Sequence, residues 1–150
     1  MVYHNESIHI LIADDDDDDR QFFYEALEEL KIKTTVEMVT DGAALLKRLG
    51  EKDSTIPHVL FLDLNMPFKN GIECLAEIKK MDFLKNMTIA IYSTSASESE
   101  IEATFIKGAN VYIKKPTEFT KLKKVLSEVI TTQWQYHTSG LNRANFLMSL

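Results

Sequence analysis

Four short apolar runs in this 150-residue chain end in residues able to do chemistry. Residues 8–12 lead to Asp14 and Asp15, and residues 59–62 lead to Asp63. Residues 89–92 lead to Ser93, Thr94 and Ser95, and residues 111–113 lead to Lys114 and Lys115. Three carboxylates held together repel unless a cation neutralises them. Magnesium does this with oxygen ligands, commonly one or two carboxylates plus phosphate. A lysine beside the cluster adds positive charge for an incoming anion, and the hydroxyl of Ser93 or Thr94 can donate to a phosphoryl oxygen. These are parts for phosphoryl transfer, where positioning and charge neutralisation do most of the catalysis. The attacking group would be a carboxylate, a route to an aspartyl phosphate.

The elements that must position these groups follow from periodicity. The four runs, together with residues 36–39, have strand length and β-branched or aromatic content. Residues 59–62 are apolar on both faces, as a central parallel strand requires. Helical spacing fills the intervals. It links Phe22, Phe23, Ala26, Leu27 and Leu30, then Ala44, Leu45 and Leu49, then Ile72, Leu75, Ala76 and Ile78. A fourth helix carries Ile101, Phe105 and Ile106, and a fifth carries Phe119, Leu122, Val125, Leu126, Val129 and Ile130. Asn70 with Glu73 and Ser97 with Glu100 have capping-box spacing. Asp41 can cap the second helix, and Gly108 closes the fourth. Strands alternating with helices predict an α/β fold, a five-stranded parallel sheet covered on both faces. The site of such a fold lies beyond the carboxyl ends of its strands.

Composition narrows the class. The chain is 45% hydrophobic and 27% charged, with net charge −6, which is a globular profile. Residues 14–19 are six consecutive aspartates, and without them the charges balance. The acidity is therefore local, and it argues against a nucleic-acid surface, which needs clustered Lys and Arg. One cysteine, Cys74, permits no intrachain disulfide and no Cys-based zinc site; its place on the third helix reads as a small buried hydrophobe. His4, His9, His58 and His137 show no ligand spacing. The start of the chain has no signal-peptide pattern, and no apolar run reaches the roughly 18 residues of a membrane span. A cytoplasmic protein without a membrane partner is expected.

The acidic block mimics a calcium loop at Asp14, Asp16, Asp18 and Glu25, but Asp19 stands where that loop needs glycine. Asp16, Asp17, Asp18 and Asp19 read mainly as helix N-terminal acids, with metal contact by one of them as the alternative.

At this point the residues resemble a family. Ala13-Asp14-Asp15 followed by Arg20 looks like the acidic opening of a response-regulator receiver domain. Residues 61–71, Phe-Leu-Asp-Leu-Asn-Met-Pro-Phe-Lys-Asn-Gly, look like its phosphoacceptor segment. Ser93, Gly108-Ala109, Tyr112 and Lys115-Pro116 match its later pattern. Four pieces in order at these spacings form a specific signature. The resemblance implies a flavodoxin-like strand order, 2-1-3-4-5. It implies that Asp63 accepts a phosphoryl group from a sensor histidine kinase or histidine phosphotransfer protein. Asp14, Asp15, Asp63 and the backbone carbonyl of Asn65 would bind Mg2+. Lys115 and Ser93 would contact the phosphoryl group, and Ser93 with Tyr112 would switch a surface that binds a downstream protein. The closest flavour is the small stand-alone receivers, including those serving bacterial phytochrome kinases.

The receiver is expected over residues 6–133, with an extension over 134–150. A short helix from near Ser139, lined by Leu141, Ala144 and Leu147, is one reading of that extension. Phe146, Leu147, Met148 and Leu150 are apolar for a chain end. They suggest a docking or homodimerisation segment, against a weakly ordered terminus. Three other functions compete. A haloacid-dehalogenase-type phosphatase wants Asp-x-Asp, which Asp63-Leu64-Asn65 lacks; without that acid the phosphoaspartate should turn over slowly. A receiver-like scaffold would not need Asp15, Asp63 and Lys115 complete. A flavin binder would not place six aspartates where phosphate must sit.

Overall fold

The computed structural model describes residues 7–51, 54–133 and 146–148. Five strands alternate with five helices along the chain. The strands are β1 (Ile8–Ala13), β2 (Thr34–Val39), β3 (Val59–Leu62), β4 (Thr88–Ser93) and β5 (Val111–Lys114). The helices are α1 (Asp17–Glu29), α2 (Gly42–Leu49), α3 (Gly71–Ile78), α4 (Glu98–Ile106) and α5 (Phe119–Thr131). All pairings are parallel, in the order β2-β1-β3-β4-β5. The expected fold class and strand order are both borne out.

The core forms two layers, one on each face of the sheet. Leu11, Leu60, Leu62 and Ile89 pack under α2, α3 and α4. Ile10, Ile12, Phe61 and Tyr92 pack under α1 and α5, with Phe23, Phe61 and Tyr92 in mutual edge-to-face contact. Every residue of β3 and β4 is buried, which accounts for their unbroken apolar runs.

Local signals act largely as expected. Asp41 Oδ1 accepts from the Ala44 amide at 2.7 Å. Asn70 and Glu73 close a full capping box. Ser97 caps α4, but the box there is incomplete: the Glu100 carboxylate takes the hydroxyls of Ser95 and Ser97 and leaves the cap amide. Ile106, expected on the packed face of α4, is 72% exposed because the helix ends beside it at Gly108, whose φ is +93°. Periodicity did not signal the short 3-10 turn Asp82–Leu84.

Residues 134–145, and with them the start of the expected terminal helix, lie outside the described residues. Phe146 is helical, whereas Leu147, expected on that helix, forms a parallel bridge with Tyr112. The cause is the unpaired edge of β5, whose Tyr112 carbonyl accepts from the Met148 amide at 3.0 Å.

Candidate functional site

The carboxyl ends of β1, β3 and β5 bring Asp14, Asp63 and Lys115 together. Register sets this meeting: Ala13 pairs with Leu62, so the residues after them, Asp14 and Asp63, leave the sheet side by side. Lys115 follows β5, and its amide is tied to the Ser93 carbonyl at 2.8 Å. Its Nζ crosses back to lie 2.8 Å from Asp14 Oδ2, 2.8 Å from Asp19 Oδ2 and 3.6 Å from Asp63 Oδ2.

Burial makes these charges consequential. Asp14 and Asp63 are buried, and the Lys115 side chain is 7% exposed. Burial pushes the Asp63 carboxyl up to about 6, Asp14 adds to the rise, and Lys115 with the Asn65 amide opposes it. For Lys115, burial alone would favour the neutral amine. The adjoining carboxylates of Asp14 and Asp19, reinforced by Asp63, outweigh it and hold the ammonium well above the usual lysine range.

The donor set fits a hard divalent cation. Asp14, Asp15 and Asp63 each offer an oxygen, all within 4.8 Å of one another. Asp14 Oδ2 is completely buried with no hydrogen-bond donor; its ion pair with Lys115 lies outside hydrogen-bond geometry. The Lys115 ammonium is its charge partner, and a cation shared with Asp15 and Asp63 would add a second. Asp15, by contrast, is exposed, so the three ligand positions grade from interior to solvent.

The loop after β3 is closely shaped. The Asn65 amide donates to Asp63 Oδ1 at 3.2 Å. A Cβ at Gly71 would fall on the Asp63 carbonyl, so the Asn-Gly pair opens α3 only because that side chain is absent. Between them Phe68 takes φ +67° inside a turn in which the Lys69 amide reaches the Pro67 carbonyl at 2.7 Å. A bulky residue at positive φ is strained, and this ring is 88% exposed.

Ser93 and Tyr112 belong to a neighbouring chain of contacts. Ser93 is buried at the end of β4, and its Oγ accepts from the Ser95 amide at 3.2 Å. The Tyr112 hydroxyl donates to the Ser95 carbonyl at 2.7 Å. The aspartate block divides its labour. Asp16 Oδ1 caps α1 by accepting from the Asp19 amide at 2.9 Å, Asp17 pairs with Arg20, and Arg20 also donates to the Asp14 carbonyl at 2.7 Å. Asp19 is outside that group of three carboxylates and instead holds Lys115. Sequence reasoning missed that role. The available signal was spacing: Asp19 lies five residues beyond Asp14, on the first turn of a helix that begins at the site.

Among the described residues, Cys74, His9 and His58 lie apart from this group of carboxylates. Cys74 is buried, and burial raises its thiol to about 11. His58 accepts the His9 amide at 2.9 Å, and the two rings stack. No helix among the described residues is long and apolar enough to cross a membrane.

Known proteins share this fold. The family model for the response regulator receiver domain matches residues 10–127. Response regulator Rcp1 of Synechocystis sp. is 32% identical over 124 residues, covering 80% of this chain and 84% of its own. The Mn(2+)-bound structure of Rcp1 superposes with a TM-score of 0.74 at 28% identity, covering 90% of this chain and 99% of the other. The phosphorylated cyanobacterial phytochrome response regulator RcpA gives a TM-score of 0.78 at 28% identity, covering 91% and 99%.

Proposed function

This chain belongs to the response regulator receiver family, and on that premise we propose that its switch is phosphorylation of Asp63 by a sensor histidine kinase or histidine phosphotransfer protein. The observation that supports this best is Lys115, buried between Asp14 and Asp63 at the edge of a three-carboxylate cluster. A carboxylate oxygen of Asp63 attacks the phosphorus of a phosphohistidine. The P–O bond forms as the P–N bond breaks, and the departing imidazole takes up a proton. Lys115 then pairs with the added negative charge, and the Ser93 hydroxyl turns to donate to it. The contacts Lys115 makes with Asp14 and Asp19 keep it charged, and the phosphoryl group must draw it away from Asp19.

The oxygens of Asp14, Asp15 and Asp63, with the Asn65 carbonyl, would hold Mg2+. The ion supplies neutralisation of the charge that builds on the phosphoryl oxygens. Mn(2+) in the similar Rcp1 structure supports a divalent ion in this class of site. Phosphorylated RcpA, a phytochrome response regulator by its description, makes a phytochrome-type kinase the first donor class to try. Output runs through Ser93 and Tyr112 to a downstream protein, as a shift between two packings biased by contacts made only with the phosphoryl group. A cytoplasmic setting follows from a kinase partner of this type.

Intact-mass spectrometry after incubation with acetyl phosphate tests the reading, with and without magnesium, on wild type and Asp63→Ala. One added phosphoryl group that needs both magnesium and Asp63 is the expected result. No adduct, and no response to beryllium fluoride, would leave a receiver-shaped scaffold.

A further inference from the structure

We infer that the outer edge of β2 is an interface with a second copy of this chain. The two β2 strands pair antiparallel about a two-fold axis at Val36, so that two sheets become one. The inference rests on the backbone and charge of this edge and not on the phosphoryl switch.

β2 ends the sheet on the side away from β5, and among the described residues no strand lies beyond it. Its hydrogen bonds to β1 show which groups are left over. The Ile8 amide donates to the Lys33 carbonyl at 3.0 Å, and the Asp14 amide donates to the Val39 carbonyl at 3.1 Å. The odd-numbered residues of β2 therefore bond inward, along a register unbroken from Ile8–Thr34 to Ala13–Val39. The amides and carbonyls of Thr34, Val36 and Met38 point outward. Natural edges are blunted by proline, bulges or lysine, or are covered. β2 has no proline and no bulge, and its one charged residue, Glu37, is bound by Arg48. The β5 edge, by contrast, carries Leu147.

An axis at Val36 satisfies every outward group. Val36 then faces the partner's Val36, and Thr34 faces the partner's Met38, each facing pair exchanging two backbone hydrogen bonds. An axis at Thr35 or Glu37 would appose groups already bonded to β1. Side chains agree with this register. Val36 packs on the layer under α1, and Thr34 and Met38 share its face. Val36 and Met38 floor a groove whose other wall is Asp17, Arg20, Gln21 and Tyr24 of α1. Met38 is 38% exposed and Tyr24 41% exposed, and the partner's strand would cover both. On the opposite face Glu37 meets the partner's Thr35, so like charges are not set directly opposite.

Charge selects the second copy and its direction. The edge begins with Lys31 and Lys33 and ends beside Asp17, Asp18 and Asp41. An antiparallel two-fold brings the basic start of one strand to the acidic end of the other, and does so twice, because a two-fold interface repeats each contact. Parallel pairing would set lysine against lysine and aspartate against aspartate.

Sedimentation equilibrium of the full chain should show a reversible monomer–dimer equilibrium. Hydrogen exchange followed by NMR should show the Val36 amide slowing as protein concentration rises, since that amide is open in the monomer and paired in the dimer. Lys31→Glu with Lys33→Glu should weaken association about tenfold, and so should Asp17→Lys with Asp18→Lys. An equimolar mixture of these two variants should recover it, because unlike charges then meet at both ends. A chain that stays monomeric at every concentration would overturn the interface. A dimer with unchanged Val36 exchange would place the contact elsewhere and overturn it too. Val36 protection independent of concentration would give the edge to a segment of the same chain, against the inference. Charge variants that associate as wild type does, or whose mixture fails to recover, would overturn the antiparallel arrangement. Should a variant fail to fold, the wild-type Val36 exchange decides alone.

Discussion

Two ends of the β4–β5 pair use opposite chemistry. At its carboxyl end, Lys115 sits among Asp14, Asp19 and Asp63, and the geometry is set by charges that cannot leave one another. Along its outer edge, Tyr112 sits among Phe105 and Phe146, and the geometry is set by ring packing and one backbone hydrogen bond. Removing one buried charge strands the others, whereas removing one ring lets a terminal segment detach. The acidic end should therefore be costly to damage and the apolar edge easy to switch.

The largest effect expected is that of Lys115→Met. Breaking a buried ion pair by removing one partner typically costs about 3–5 kcal/mol, because the remaining charge stays buried. Chemical denaturation at pH 8 without metal should show a loss in that range. The loss should shrink as Asp63 becomes protonated at lower pH, and again when magnesium is added. A loss below about 1 kcal/mol at pH 8 would mean the three carboxylates reach solvent when the lysine is gone, and the contrast drawn above would fail.

Phe146→Ala measures the other side. Truncating a buried Phe in a rigid core costs about 3–5 kcal/mol, as expected for Phe61, held between Phe23 and Tyr92. For Phe146 the cost is capped by the free energy of docking the segment, since an undocked segment leaves no cavity. Global unfolding should shift by about 1 kcal/mol or less. An effect as large as that of Phe61→Ala would make residues 146–148 part of the folding core.

The two regions also differed in legibility. Asp14, Asp15, Asp63 and Lys115 were readable because each lies just beyond an apolar run, and a parallel sheet gathers the ends of its strands. Strand order came from family resemblance, since alternation alone does not fix it. The Phe146–Tyr112 contact left no such trace. It joins residues 34 apart in sequence through one bridge, and an apolar chain end is equally compatible with a helix, a strand or an interface. Asp19 was obscured differently: six identical residues in a row conceal which one faces the lysine, and only the pitch of α1 decides it.

Acid pH should act through Asp63. Its carboxyl is raised to about 6 chiefly by burial, so the nucleophilic carboxylate is lost as pH falls through that value. Labelling by acetyl phosphate should fall at acid pH, and the midpoint of the fall should move to lower pH as magnesium is raised, because the cation favours the carboxylate. The stability sign is the reverse of the usual carboxylate case. A folded pKa above the unfolded one means that Asp63 costs the fold stability as pH rises from the ordinary carboxylate range to about 6, with the full cost present above that. Asp63→Asn should therefore raise the metal-free Tm by a few degrees at pH 8 and by less at pH 5. Equal shifts at both pH values would move the cause from charge to packing.

The smallest and most discriminating effect belongs to Asp19→Asn. Asp19 is part-exposed, so its pairing with Lys115 contributes little to stability, about 1 kcal/mol or less. Its influence on chemistry follows from position. The Lys115 ammonium lies nearer to Asp19 than to Asp63, so a phosphoryl group on Asp63 must draw the lysine from a carboxylate that also repels the group itself. Neutralising Asp19 removes both oppositions while leaving the helix cap at Asp16 in place. At saturating magnesium, labelling by acetyl phosphate should quicken about two- to fivefold, in line with a partly screened charge a few ångströms away. Asp19→Glu should restore the wild-type rate. Asp17→Asn, which removes a charge that pairs only with Arg20 among the described residues, should leave the rate unchanged. Equal acceleration by Asp17→Asn and Asp19→Asn would assign the effect to the summed field of the aspartate block and not to the contact with Lys115.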